Sequence, residues 1–238
     1  MFQKLRKSKK LLLVAMACAT FAIAGCGSDT TKNAADNGNA VTWSETFDGT
    51  KTDFAVKSSP THAVSMSQAT TEMMLQLGLE DKMAGTAFKE EEIYPPLQAA
   101  YDKVKVLSDK WPSYEVFMSV KPDFATGWPD SFSKRAIPAD KMIAQKVNIW
   151  LPESMLSTKA DLETNFNDMI KLGEIFGVKS KAEEWVAGQR KTLAAIQDKL
   201  KDLPRKRVFI YDSEDGQPFT AFEGYTTNIL KLIGADNV

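Results

Sequence analysis

Cysteine and histidine are the scarce residues here: the 238-residue chain holds two cysteines, Cys18 and Cys26, and one histidine, His62. So few thiols cannot build a disulfide framework. Transition-metal sites want several His, Cys or carboxylate ligands together, so a multi-histidine metal centre is excluded and any metal must arrive already chelated. A Ser-His-Asp arrangement could draw only on His62, and no G-x-S-x-G, P-loop or G-x-G-x-x-G motif is present. The composition therefore points away from an enzyme. An excess of positive charge is also missing: the formal net charge is −1, which does not suit a nucleic-acid-binding surface.

What is present begins at the N-terminus. MFQKLRKSKK carries Lys4, Arg6, Lys7, Lys9 and Lys10 and no acid, and is followed by an apolar run from Leu11 to Ala24. Basic, then apolar, then small is the order of a secretory signal, and about 14 apolar residues fall short of the roughly 20 that a membrane span needs. Ile23-Ala24-Gly25-Cys26 matches the bacterial lipobox, in which a cysteine is lipidated before cleavage. Residues 1–25 are thus expected to be removed with Cys18, and Cys26 to become the acylated first residue, leaving no free thiol. Several acyl chains, at about 0.8 kcal/mol per buried CH₂, would anchor the chain to the outer face of the cell membrane through this lipid only. The processed chain keeps 25 Lys and Arg against 31 Asp and Glu, a formal charge of −6. The rest of the stretch 26–40, GSDTTKNAADNGNA, has no large apolar side chain to offset ordering entropy. It reads as a flexible tether with a reach of roughly 20 Å.

Beyond the tether, VTWSETFDGTKTDFAV has two β-type runs around Asp48-Gly49 and predicts a hairpin. Strands are expected over His62–Met66, Met83–Ala87, Pro122–Trp128 and Val147–Leu151. Helices are expected over Thr70–Gly78 and Ile93–Tyr101. Such alternation predicts an α/β fold with a mostly parallel sheet covered on both faces. Two long amphipathic helices follow between Lys159 and Leu203, separated near Gly177, the second of about 20 residues and so about 30 Å long. Arg207–Tyr211 reads as a strand, Asp215-Gly216 as a turn, and Tyr225–Ile233 as a helix stopped by Gly234. Two strands and one helix cannot bury a core alone, so this last domain reads as incomplete.

Four stretches in this order resemble a known family: HAVSMSQATTEMMLQLGLEDKMAG, LSDKWPSYEVFMSVKPDFATGW, DMIKLGEIFGVKSKAEEWVAGQR and PFTAFEGYTTNILKLIGADNV. The family is that of the substrate-binding lipoproteins of ABC importers for iron-siderophores, haem and cobalamin, of the periplasmic-binding-protein fold. The resemblance covers residues 41–238. It implies two lobes, 41–158 and 204–238, joined by the helices of 159–203 with one long spine, and a second lobe that is truncated, because relatives continue past the GADNV-like segment. It implies a monomer without a cofactor of its own that hands a small-molecule metal chelate to an ABC permease. A ferric siderophore is the first expectation, with cobalamin or haem next. A binding lipoprotein without a permease partner is the competing class.

Ligands of open α/β sheets sit outside the carboxyl ends of the strands, which makes Ser67, Gln68, Phe88, Trp111, Trp128, Trp150 and Glu153 the first-lobe candidates, with Tyr211 and Phe222 facing them. Broad tryptophan faces suit siderophores, corrins and porphyrins; ordinary packing between lobes is the plain alternative. His62 starts a strand rather than ending one, which suits a structural or surface role. Of Met66, Met73, Met74 and Met83, three lie at core-like spacings on a helix or strand, and the group reads as packing rather than thioether ligands. Glu90-Glu91-Glu92 reads as a solvated charge run. By resemblance, Glu115 and Glu223 occupy the places where relatives dock on permease arginines, one per lobe; an acid in a helix's first turn is also favoured by the helix dipole alone.

Overall fold

The computed structural model describes residues 40–211, 213–220 and 224–238. Signal, lipobox and the tether up to residue 39 therefore lie outside the described residues, as do Phe222 and Glu223.

β1 (Val41–Phe47) and β2 (Thr50–Val56) form the expected antiparallel hairpin, in register from Val41↔Val56 to Phe47↔Thr50. Asp48 and Gly49 turn it with φ of 47° and 77°, the paired positive φ whose twist matches that of the strands. Trp43 stacks on Phe54 at 5.7 Å between ring centroids, and its indole N–H donates to the Ile149 carbonyl at 2.7 Å. The hairpin is thereby fixed to the main sheet.

That sheet is built from β3 (Ala63–Met66), β4 (Met83–Ala87), β5 (Val106–Ser108), β6 (Phe124–Gly127) and β7 (Asn148–Trp150), all parallel, in the order β5-β4-β3-β6-β7. Every residue of β3 and β6 is buried, as expected of strands covered on both faces. Side chains alternate between two cores: Ala63, Phe124 and Trp150 face one, and Val64, Met66, Ala125 and Ile149 face the other. The first core is closed by α1 (Gln68–Gln76), α5 (Leu162–Ile175) and α6 (Lys179–Leu200), the second by α3 (Tyr114–Ser119) and α4 (Ala139–Ala144). Met66, Met73, Met74 and Met83 are at most 9% exposed, in the cores.

Two expected elements take other forms. Ile93–Tyr101 is not one helix: a 3-10 turn over Pro95–Leu97 leads into a single helical turn, α2 (Gln98–Tyr101). Pro95 and Pro96 have no amide hydrogen to give, which delays the helix past them. The strand foreseen over Arg207–Tyr211 is the shorter β8 (Lys206–Val208), which pairs in parallel with β11 (Ala235–Asn237) across α7 (Tyr225–Leu232). The turn at Asp215-Gly216 joins β9 (Ser213–Glu214) to β10 (Pro218–Phe219).

α5 starts in a capping box, Asp161 accepting from the Thr164 amide at 2.8 Å and the Thr164 hydroxyl accepting from the Asp161 amide at 3.2 Å. It then crosses α6 so closely that a Cβ on Gly173 would fall 2.6 Å from the Ala182 Cβ. α6 itself is 22 residues long and buries only Ala182 and Val186.

Candidate ligand-binding site

The strand order changes direction at β3. From it the chain moves out to β4 and β5 on one side, then returns to place β6 and β7 on the other. A crevice opens at such a switch, at the carboxyl ends, and the loops after β4, β5 and β6 bring three aromatic side chains together there.

Phe88 follows β4 with φ of 61°, a left-handed backbone rare for a bulky residue and a form of strain that gathers at functional sites. Its ring stacks on Trp111 at 4.7 Å and 16°. Trp111 is oriented by its indole N–H, which donates to the Met66 carbonyl at 3.2 Å. Trp128, just after β6, donates its indole N–H to Glu90 Oε2 at 3.2 Å. Phe88, Glu90, Trp111, Trp128, Pro129 and Asp130 line an open cavity of about 420 Å³, within the ordinary range of small-molecule sites. Asp130 is paired with Arg135 at 2.5 Å.

The other described sequence candidates are not among the residues lining this cavity. Ser67 is fully buried; its hydroxyl caps α1 by accepting from the Thr70 amide at 3.2 Å and pairs with the Thr70 hydroxyl at 2.8 Å. Trp150 is 4% exposed, because at the third position of β7 it points into the first core. Neither lines the cavity of Phe88, Trp111 and Trp128. Gln68 has spent its amide on the loop after β4: Oε1 accepts from the Glu90 and Glu91 amides at 3.0 and 2.7 Å, and Nε2 donates to Glu72 Oε1 and the Glu92 carbonyl at 2.8 and 3.1 Å. It shapes the loop that presents Glu90 and so acts as a positioning residue. Tyr211 is 60% exposed and lies beyond the end of β8. His62 is exposed and takes part in an Asp123-centred knot at the amino ends of the strands, away from the crevice.

Gln68→Leu is accordingly expected to release the 90–92 loop. Amide exchange at Glu90 and Glu91 should rise about tenfold, the equivalent of losing roughly 1 kcal/mol of local hydrogen bonding, while core amides stay unchanged. Unchanged exchange at both amides would show that the loop holds itself.

Glu153 is exposed and starts the 3-10 turn Glu153–Met155 after β7. Its loop is held by two acids that no sequence pattern singles out. Asp168 of α5 is 5% exposed and accepts from the Glu153 and Ser154 amides at 2.8 and 2.9 Å. Glu45 of β1 is 7% exposed and accepts from the Leu151 amide at 3.0 Å. Burial raises both carboxyls above their ordinary range; Glu45 reaches about 7, against the opposing pull of the Leu151 amide and with the Asp168 charge adding to the rise. Partners more than 100 residues away leave no local pattern for Glu45 to be read from. Glu115 stands exposed in the first turn of α3 behind the Ser113 cap, and hydrogen bonds from its own amide and the Ser113 hydroxyl hold its carboxyl below the usual range.

Among the described residues no His, Cys, Asp and Glu side chains gather in a group able to hold a metal ion, and no helix is long and apolar enough to cross a membrane.

Comparison with known proteins gives one family. Residues 64–238 match the family described as Periplasmic binding protein. The chain is 26% identical over 240 residues to the uncharacterized ABC transporter substrate-binding lipoprotein YvrC of Bacillus subtilis, covering 97% of this chain and 73% of YvrC. It is 95% identical, with a TM-score of 0.83, to the crystal structure of a periplasmic binding protein from Veillonella parvula, covering 84% of this chain and 68% of that one. The fold is shared at 19% identity and a TM-score of 0.61 with an ABC-type Fe3+-hydroxamate transport system from Saccharomonospora viridis, over 82% of this chain and 69% of the other. The four resembling stretches, the parallel sheet with its long helix and the match over most of the chain agree: the protein belongs to the Periplasmic binding protein family, among the substrate-binding proteins of ABC transporters.

Proposed function

We propose that the protein captures a ferric siderophore between two lobes, the first made by residues 41–158, the second begun by 204–238 and the two joined by the helices of 159–203, and hands it to an ABC permease. The observation that carries this is the aromatic cavity at the switch point of the parallel sheet, where the stacked Phe88–Trp111 pair and Trp128 line an open space of about 420 Å³. Cobalamin or haem is the next choice on the same faces. Glu153 would contribute from the β7 loop, with Tyr211 and Phe222 facing it from the second lobe. The family consists of binding proteins rather than enzymes, and the ligand is carried unchanged. Acylation of Cys26 would keep the receptor at the outer membrane face beside its permease, as the lipoprotein relative suggests.

Glu115, exposed and held ionised, suits docking on a permease arginine, with Glu223 as its counterpart. The test has two arms on the intact protein. Tryptophan quenching by a ferric siderophore with a dissociation constant in the low-micromolar range or below, about −8 kcal/mol, supports capture. Glu115→Ala should then cut uptake by cells about tenfold or more with the same affinity in solution. Uptake that is unaffected by Glu115→Ala and Glu223→Ala together would refute the docking role.

A further inference from the structure

In the cavity that carries the proposed capture, the charged residues of the lining are all acidic. Of its six lining residues three are aromatic, one is proline and two are carboxylates, Glu90 and Asp130. Asp130 is neutralised by Arg135. Among the described residues Glu90 has no ion pair; its Oε2 receives only the Trp128 indole N–H. Lys110 is not part of the lining but stands over the Phe88 ring as a cation at the wall, 5.1 Å from the ring centroid.

Two consequences of this arrangement point the same way. Aromatic faces carry negative quadrupole potential and attract cations, above all where water is excluded, and the ammonium of Lys110 on Phe88 shows that this wall already accepts one. Glu90 adds a full negative charge at the rim, fixed in direction by Trp128 on its side chain and by Gln68 on its main chain. An approaching polyanion meets repulsion from both, whereas a neutral or positive ligand does not, and like-charge juxtaposition is an effective means of rejecting a wrong partner.

Resting on the capture reading, we infer that this pocket is a charge filter: it takes neutral or positively charged chelates, of the hydroxamate or corrin type, and rejects polyanionic ones such as tricatecholates. Glu90 is its specificity-determining residue, held by Gln68 and Trp128. The same rule ranks cobalamin above haem, whose two propionates would face Glu90.

Equilibrium dialysis of the intact protein against three ferric chelates of differing charge tests this: ferrioxamine B, singly positive; ferrichrome, neutral; and a triply negative tricatecholate. The expected order is ferrioxamine B at or above ferrichrome, and both at least about tenfold tighter than the tricatecholate. The gap should narrow at about 0.5 M salt, and narrow again in Glu90→Gln. Trp128→Phe keeps an aromatic face but frees the carboxylate, and should weaken the discrimination with less loss of affinity for the neutral chelate. Equal or tighter binding of the tricatecholate, or a gap that Glu90→Gln leaves unmoved, overturns the filter while leaving capture intact. Binding of none of the three overturns the capture of iron chelates and the filter with it.

Discussion

Glu45→Gln is expected to make the protein more stable at pH 8 by about 2–3 kcal/mol and to change little at pH 5. The Glu45 carboxyl is 7% exposed and has its pKa raised from 4.5 to about 7, chiefly by burial. In the unfolded chain it ionises in water at its ordinary value. The native state therefore binds this proton more tightly than the unfolded state does. The stabilisation is complete below pH 4.5 and is lost as the pH rises through about 7, where the native protein must hold a charge close to the charge of Asp168. Glutamine presents the same oxygen to the Leu151 amide at any pH without that cost. Its extra N–H group, which needs an acceptor of its own, is the reason for an estimate below the full shift, at roughly 1.4 kcal/mol per unit. Urea unfolding at both pH values measures it. Equal effects at pH 5 and pH 8, or destabilisation at pH 8, would refute an ionised Glu45 as a cost to the fold. With Glu45 raised to about 7, the wild-type protein should lose stability from pH 5 to pH 8; Asp168, whose carboxyl is also raised by burial, adds a dependence of the same sign above its ordinary range.

Phe124→Ala is expected to cost about 3–5 kcal/mol, a large fraction of the 5–15 kcal/mol that holds a typical domain. Phe124 is fully buried at the start of β6. Its ring meets Phe176, at the end of α5, edge-on at 5.1 Å and meets Trp43 of β1 at 6.4 Å. One side chain therefore joins the central sheet, the covering helices and the hairpin, and its removal leaves a cavity that three separate elements would have to move to fill. Phe124→Leu, which retains most of the volume, should cost less than about 1.5 kcal/mol. Both values come from urea midpoints at unchanged denaturant slope. A loss under about 1.5 kcal/mol for the alanine variant would mean that the junction collapses around the gap.

Local chemistry made most of the elements legible. Asp48-Gly49 specifies a turn by backbone conformation alone, and the runs ending at Met66, Ala87 and Gly127 are apolar enough to read as buried strands. The capping and amphipathic pattern from Asp161 onward marks two helices. What escaped was decided at a distance. β5 has only three residues, too few for a period to show. Ser67, Trp128 and Trp150 all stand at or just after the carboxyl ends of strands, yet Ser67 turns inward as a helix cap and Trp150 falls on the core side of the pleat, while Trp128 alone reaches the crevice. A one-residue difference in where a strand stops decides which face a tryptophan takes. Glu90 was visible only as one of three consecutive acids; its partner Trp128 is 38 positions away, and the hydrogen bond between them depends on the β4 and β6 loops meeting at the switch point.

α6 runs for 22 residues, about 33 Å, with only Ala182 and Val186 near its start buried. Such a rod works as a lever arm whose fulcrum is the tight crossing at Gly173 and Ala182. A tilt of about 5° there would carry the far end, about 27 Å beyond Ala182, through roughly 2.4 Å. Small angular adjustments at one glycine-alanine contact are thus multiplied along the rod, and a bulkier side chain at residue 173 would reset the angle for everything attached beyond Leu200.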